Sequence, residues 1–113
     1  MNRLRLRATL TGREALRRTP AGLPAIGLEL QHASRVLEAG IERSLDFPLE
    51  AVALGEVALR FDRLAPGTDG EIDGFLAPRS RRSTRLRVHV TQFVPVPREN
   101  PGPADQEQEP AAP

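Results

Sequence analysis

The sequence predicts an all-β fold: one five-stranded Greek-key barrel, followed by a disordered, proline-rich, acidic C-terminal tail. Three observations carry this prediction. Apolar residues recur at every second position in most of the apolar runs, glycine and proline punctuate the intervals, and no interval commits itself to a long helix. A chain of 113 residues has room for one domain. We place that domain at residues 1–96 and the tail at 97–113, where proline and charge replace the apolar side chains that a core needs.

The elements follow in order. From Arg3 to Leu10 the chain alternates without a fault, Leu4, Leu6, Ala8 and Leu10 on one face and Arg3, Arg5, Arg7 and Thr9 on the other. Period two predicts a half-buried strand. Thr11 to Pro24 holds Gly12, Pro20, Gly22 and Pro24 and reads as a long loop. Ile26, Leu28, Leu30 and His32 then alternate with Gly27, Glu29 and Gln31, a second strand ending near Ala33. Ser34 to Gly40 is polar and short, which favours a loop. In Ser44 to Leu54, Leu45, Phe47 and Leu49 fall in phase and Val52 and Leu54 out of phase, so a bulge is expected between Pro48 and Ala51.

Between Gly55 and Pro66 the apolar spacing fits a helix and a strand equally well. After the turn residues Pro66, Gly67 and Gly70, a strand from Glu71 to Leu76 passes through Ala77–Ser83 into a final strand. There Leu86, Val88 and Val90 alternate with Arg85, Arg87 and His89, and the two strands read as a hairpin. In a barrel of this kind, the OB-fold, the loops after strands one and four flank the binding face; here they are Thr11–Pro24 and Ala77–Thr84.

The net charge of +1 conceals a split: the body before Pro95 carries fifteen arginines against eleven acids, and the remainder one against four. All sixteen cations are arginine. A GC-rich genome accounts for that as readily as function does, but arginine forks onto phosphates and stacks on bases as lysine does not. The absence of cysteine removes disulfides, thiolate nucleophiles and cysteine metal sites. Arginines interrupt the opening MNRLRLRATL and no stretch approaches about 20 apolar residues, so neither a signal peptide nor a membrane span is expected and the default address is cytoplasmic.

The densest candidate site is APRSRRSTRLR, which places Arg79, Arg81, Arg82, Arg85 and Arg87 at the tip and flank of the last hairpin. A solvated loop is the ordinary reading of such a run. Position favours the other, because this loop is one of the two that an OB barrel uses to grip a nucleic-acid strand. Arg5 and Arg7 on the first strand, with Arg13, Arg17 and Arg18 in the first loop, are candidates for a basic stripe beside it. Only four phenylalanines are present, and Phe75, in antiphase to Ile72 and Leu76, is the candidate for stacking on a base; a core or dimer-interface role fits it as well. His32 and His89 have no neighbouring nucleophile or carboxylate pair, so the chain is expected to be neither an enzyme nor the holder of a metal or cofactor.

Several blocks, in order, resemble the PriB family of primosomal replication proteins: NRLRLRATLTG at the start, LELQHASRVLEAGIERS with Leu30, His32, Ser34, Glu38, Ala39, Gly40 and Arg43, and GEIDGFL followed by a basic hairpin and LRVHVTQF. The likeness covers residues 2 to 96. It implies an OB-fold homodimer that binds single-stranded DNA and assists a PriA-type helicase and other primosome proteins in replication restart. It also implies that Arg79, Arg81, Arg82 and Arg85 stand where family members mostly carry lysine, and it adds Arg43 to the candidate contacts. An exposed tryptophan of that family has no counterpart here, since the neighbourhood reads Leu45, Asp46 and Phe47. Two alternatives stay open: an OB module that docks on a helicase with weak DNA contact, and a general single-strand or RNA binder.

Overall fold

The structure, a computed structural model, describes residues 1–97. Six strands and one short helix run in the order β1 (Leu4–Arg13), β2 (Arg17–Arg18), β3 (Pro24–Glu38), β4 (Ile41–Leu54), α1 (Glu56–Phe61), β5 (Asp69–Pro78) and β6 (Leu86–Pro95). The sheet order is β1-β5-β6-β4-β3-β2, and β1 also pairs with β3, which closes a five-stranded barrel with β2 as a short addition outside the ring. All neighbours are antiparallel except β4 and β6. This is the OB topology that the sequence predicts, and the expected tail falls, apart from Pro97, outside the described residues.

The first strand divides its edges. Its residues from Leu4 to Thr9 pair with β5, and from Thr9 onward it pairs with β3, with a bulge at Thr11 where the strand turns the corner between them. The interior is filled by the alternating positions: Leu10, Ile26, Leu30, Ile72, Val88 and Phe93 are essentially inaccessible to water. Gly70 and Gly74 have a packing reason to lack a side chain. A Cβ at the first would collide with the Phe93 ring, and at the second with the His89 carbonyl.

The structure corrects three readings of the sequence. Ser34–Gly40 is no loop: β3 runs through it to Glu38, and Ala39 and Gly40, both at positive φ, make a two-residue hairpin turn into β4. The arm so formed leaves the barrel, so both of its faces meet water and alternation of polarity fades. Ion pairs between Arg35 and Glu42 and between Arg43 and Glu38 cross it instead. Second, β3 and β4 keep one unbroken register from Ala25↔Leu54 to Glu38↔Ile41, so there is no bulge near Pro48–Ala51. The phase change has another cause: Val52 is enclosed on the face away from the core, opposite Gly27 and alongside His89. A bulge does occur on β6, where Thr91 is the extra residue between the pairs Asp73↔Gln92 and Gly74↔Val90, and it brings Phe93 into phase with Val88 and Val90. Third, the loop after the first strand contains β2, which pairs Arg17 with Ala25 and Arg18 with Pro24.

The ambiguous stretch after Gly55 is helical. α1 is short and starts from a glycine at φ 73 without a side-chain cap, so packing rather than propensity holds it. Ala58 and Phe61 are its buried residues, and the Phe61 ring lies 4.9 Å from that of Phe93 in the core.

Candidate nucleic-acid interface

Side chains that alternate with the core on β3, β4 and β6 form one outward sheet face. Two segments wall it, residues 11–17 from the end of β1 to the start of β2 and the loop 79–85 between β5 and β6, and together they border an open groove of about 960 Å³. These are the two connections that the sequence reading placed beside the binding face. Arg17 comes from one side, Arg79 and Arg85 from the loop on the other, and Arg87 from β6 beside it. Arg13 lines the groove with its backbone: it pairs with the core-facing Leu28, and its guanidinium donates to the Leu64 carbonyl instead.

The hairpin arginines differ in their surroundings. The loop is pinched at its base by a hydrogen bond from the Arg79 N–H to the Arg85 carbonyl, 2.8 Å. The Arg79 Nε donates to Glu50 Oε2 at 2.7 Å and the Arg85 Nη2 to Glu50 Oε1 at 3.3 Å. Arg81 and Arg82 are exposed at the tip and make no ion pair among the described residues. Arg87, half-buried on the groove side of β6, has its Nε enclosed with no hydrogen-bond acceptor. An enclosed donor without a partner costs free energy.

The other candidates lie elsewhere. Arg5 and Arg7 share the outer face of β1 and β5 with acids directly opposite them in register, Asp73 and Glu71. The Arg5 Nε donates to Asp73 at 2.8 Å, and this hydrogen bond together with the carboxylate charge raises its already high pKa. These two arginines do not join the groove. Arg18 donates to the Gly22 carbonyl inside its own loop, and Arg43 sits on the projecting β3–β4 arm against Glu38. Phe75 faces outward, as its phase suggests, and stacks on His89 with ring centroids 4.9 Å apart and planes 14° from parallel. Cross-strand pairing of Ala77 with Arg87 makes this stack a neighbour of the groove arginines.

Sequence reasoning passed over the groove floor. Glu29 and Glu50, directly opposite each other on β3 and β4, point outward there, and Glu14 lies flat over Gly27. Alternation already set Glu29 on the polar face; the register that sets Glu50 against it was the missing information. His32, by contrast, is structural. Its Nδ1 is 2.7 Å from the Arg7 carbonyl, which can only accept, so Nδ1 carries the proton and Nε2 accepts from the Ser34 hydroxyl at 2.9 Å.

Burial, and then the charge of Arg87, push the His89 imidazole below its ordinary pKa. The folded chain therefore resists a proton that the unfolded chain accepts. Stability is therefore fullest above the unfolded pKa, about 6.5, and declines as the pH falls from there through the lower folded pKa. Urea unfolding at neutral and at mildly acid pH checks this: His89→Phe should narrow the difference between the two midpoints, and an unchanged difference would contradict the assignment.

Comparison with known proteins agrees with the geometry. A family described as "another single-strand binding protein family" matches residues 2–92. The replication restart protein PriB of Bordetella pertussis is 44% identical over 92 residues, covering 81% of this chain and 86% of that protein. The chain belongs to the PriB family. PriB of Nitrosomonas europaea is 39% identical over 89 residues, 79% of this chain and 82% of the relative. Among solved structures, PriB from Ralstonia solanacearum superposes with a TM-score of 0.77 at 39% identity, covering 84% of this chain and 97% of that one. The single-stranded DNA-binding protein of Thermus aquaticus shares the fold, with a TM-score of 0.66 at 24% identity over 87% of this chain and 51% of that one. The family match runs from β1 into β6 and takes in both sides of the groove.

Proposed function

We propose that this PriB-family chain is a non-enzymatic accessory protein of replication restart, which holds single-stranded DNA in the groove and presents it to a PriA-type helicase. One observation carries the reading: Arg17 on one side and Arg79, Arg85 and Arg87 on the other line a single outward groove. Arg79, Arg81, Arg82, Arg85 and Arg87 take phosphates along one side, and Arg17 along the other. Phosphate contacts of this kind fix position without reading sequence.

The reading includes a homodimer. On β1 the residues from Leu4 to Ala8 pair with β5 on one edge, and no described strand pairs with the other. An open edge of this sort is a template for pairing with a second copy.

The second reading, a protein-interaction module with weak DNA contact, is favoured by the groove's own composition: no aromatic side chain lines it, and three carboxylates do. A strand-unwinding assay separates the two. The full chain should stimulate a PriA-type helicase, and a chain lacking the groove arginines should stimulate it less even though it still associates with the helicase. Equal stimulation by both chains would favour the docking module. Parallel binding to RNA and DNA oligonucleotides tests the general single-strand alternative.

A further inference from the structure

The carboxylate of Glu50 occupies an unusual place. It lies on the floor of the groove and receives hydrogen bonds from arginines at both ends of the β5–β6 loop, Arg79 at 2.7 Å and Arg85 at 3.3 Å. Glu29 stands directly opposite it, and like charges in register disfavour each other. The pairs are partly open to water, with side-chain exposures of 51% and 70% on the arginines and 33% on Glu50, so they exchange readily for another anion. A phosphate oxygen asks for the same N–H donors. Each N–H donates once, so the strand must either displace Glu50 or settle beside its charge.

We propose that Glu50 is an internal competitor for the DNA backbone, which holds Arg79 and Arg85 in the free protein and so sets the affinity and salt response of the groove. The inference rests on the reading of the groove as a single-strand surface. When a strand displaces Glu50, the freed carboxylate recruits a solution cation and offsets part of the cation release from the DNA. The salt slope of the unaltered chain is therefore shallower than its phosphate contacts alone would give.

The test is fluorescence anisotropy with a labelled single-stranded oligonucleotide across a range of sodium chloride, on the full chain, Glu50→Gln, and Glu50→Gln in an Arg79→Ala/Arg85→Ala background. Glu50→Gln should bind on the order of tenfold more tightly at low salt, with the gain shrinking as salt rises and the log–log slope steeper by up to about one. In the background without the two arginines most of the gain should vanish. Equal or weaker binding by Glu50→Gln, with melting unchanged, would overturn the proposal and leave Glu50 a positioning residue. A gain that persists in full without Arg79 and Arg85 would also overturn it, as simple removal of a charge. If no variant binds, the groove reading itself fails; if the unaltered chain binds and Glu50→Gln is no tighter, only the role of Glu50 fails.

Discussion

Replacing Arg81, Arg82 and Arg87 together with alanine should weaken single-stranded DNA binding by about two orders of magnitude at low salt, since about 1 kcal/mol lost per contact over three contacts corresponds to that factor. These three arginines are chosen because they form no ion pair among the described residues. Their removal therefore frees no carboxylate, and the loss reports lost contacts with the strand. Two are exposed at the loop tip, and the third, Arg87, faces away from the core between Leu86 and Val88. Stability should change little. Oligonucleotide anisotropy beside a urea titration checks both halves, and undiminished affinity in a folded triple variant would move the site away from this hairpin.

The second large effect concerns the fold. Phe61→Ala should destabilise the protein by about 3–5 kcal/mol, a large share of the roughly 5–15 kcal/mol that holds a domain together. Phe61 is fully enclosed, and its ring rests against Phe93. α1 has no side-chain cap and is too short to persist alone, so Phe61 and Ala58 are what anchor it to the barrel. Truncating the ring leaves a cavity and releases the helix at once. Equilibrium urea unfolding measures the effect. A loss below about 1 kcal/mol, the range of a surface change, would show that Phe61 does not anchor the helix.

Much of the barrel was legible because most of its strands are wet on one face. β1, the barrel half of β3, and β6 up to Val90 all show the period of two that a half-buried sheet imposes. Legibility failed where that condition failed. The β3–β4 arm is solvated on both faces, so nothing in Ser34–Glu38 distinguishes strand from loop. At Val52 both faces are covered, and the resulting phase change imitates a bulge. On β6 the same kind of phase change, Val90 to Phe93, does mark a bulge, so the local pattern alone does not separate the two causes.

Of the candidate site, the hairpin arginines and the two flanking loops were readable because clusters of charge and turn residues are local in sequence. Cross-strand partners were not. That Asp73 and Glu71 face Arg5 and Arg7, and that Glu50 reaches Arg79 and Arg85, depends on register between segments far apart in the chain. A basic stripe read from one strand alone counts cations whose charge the neighbouring strand already balances.

The most direct measurement of the central claim is the salt dependence of single-stranded DNA affinity for the unaltered chain. If arginines lining the groove neutralise about four phosphates, log affinity should fall with log salt at a slope near −3, made shallower by up to about one by the release of Glu50. The triple-arginine variant should show a smaller slope still. Affinity that stays constant as salt rises, or a slope that the variant leaves unchanged, would contradict the account.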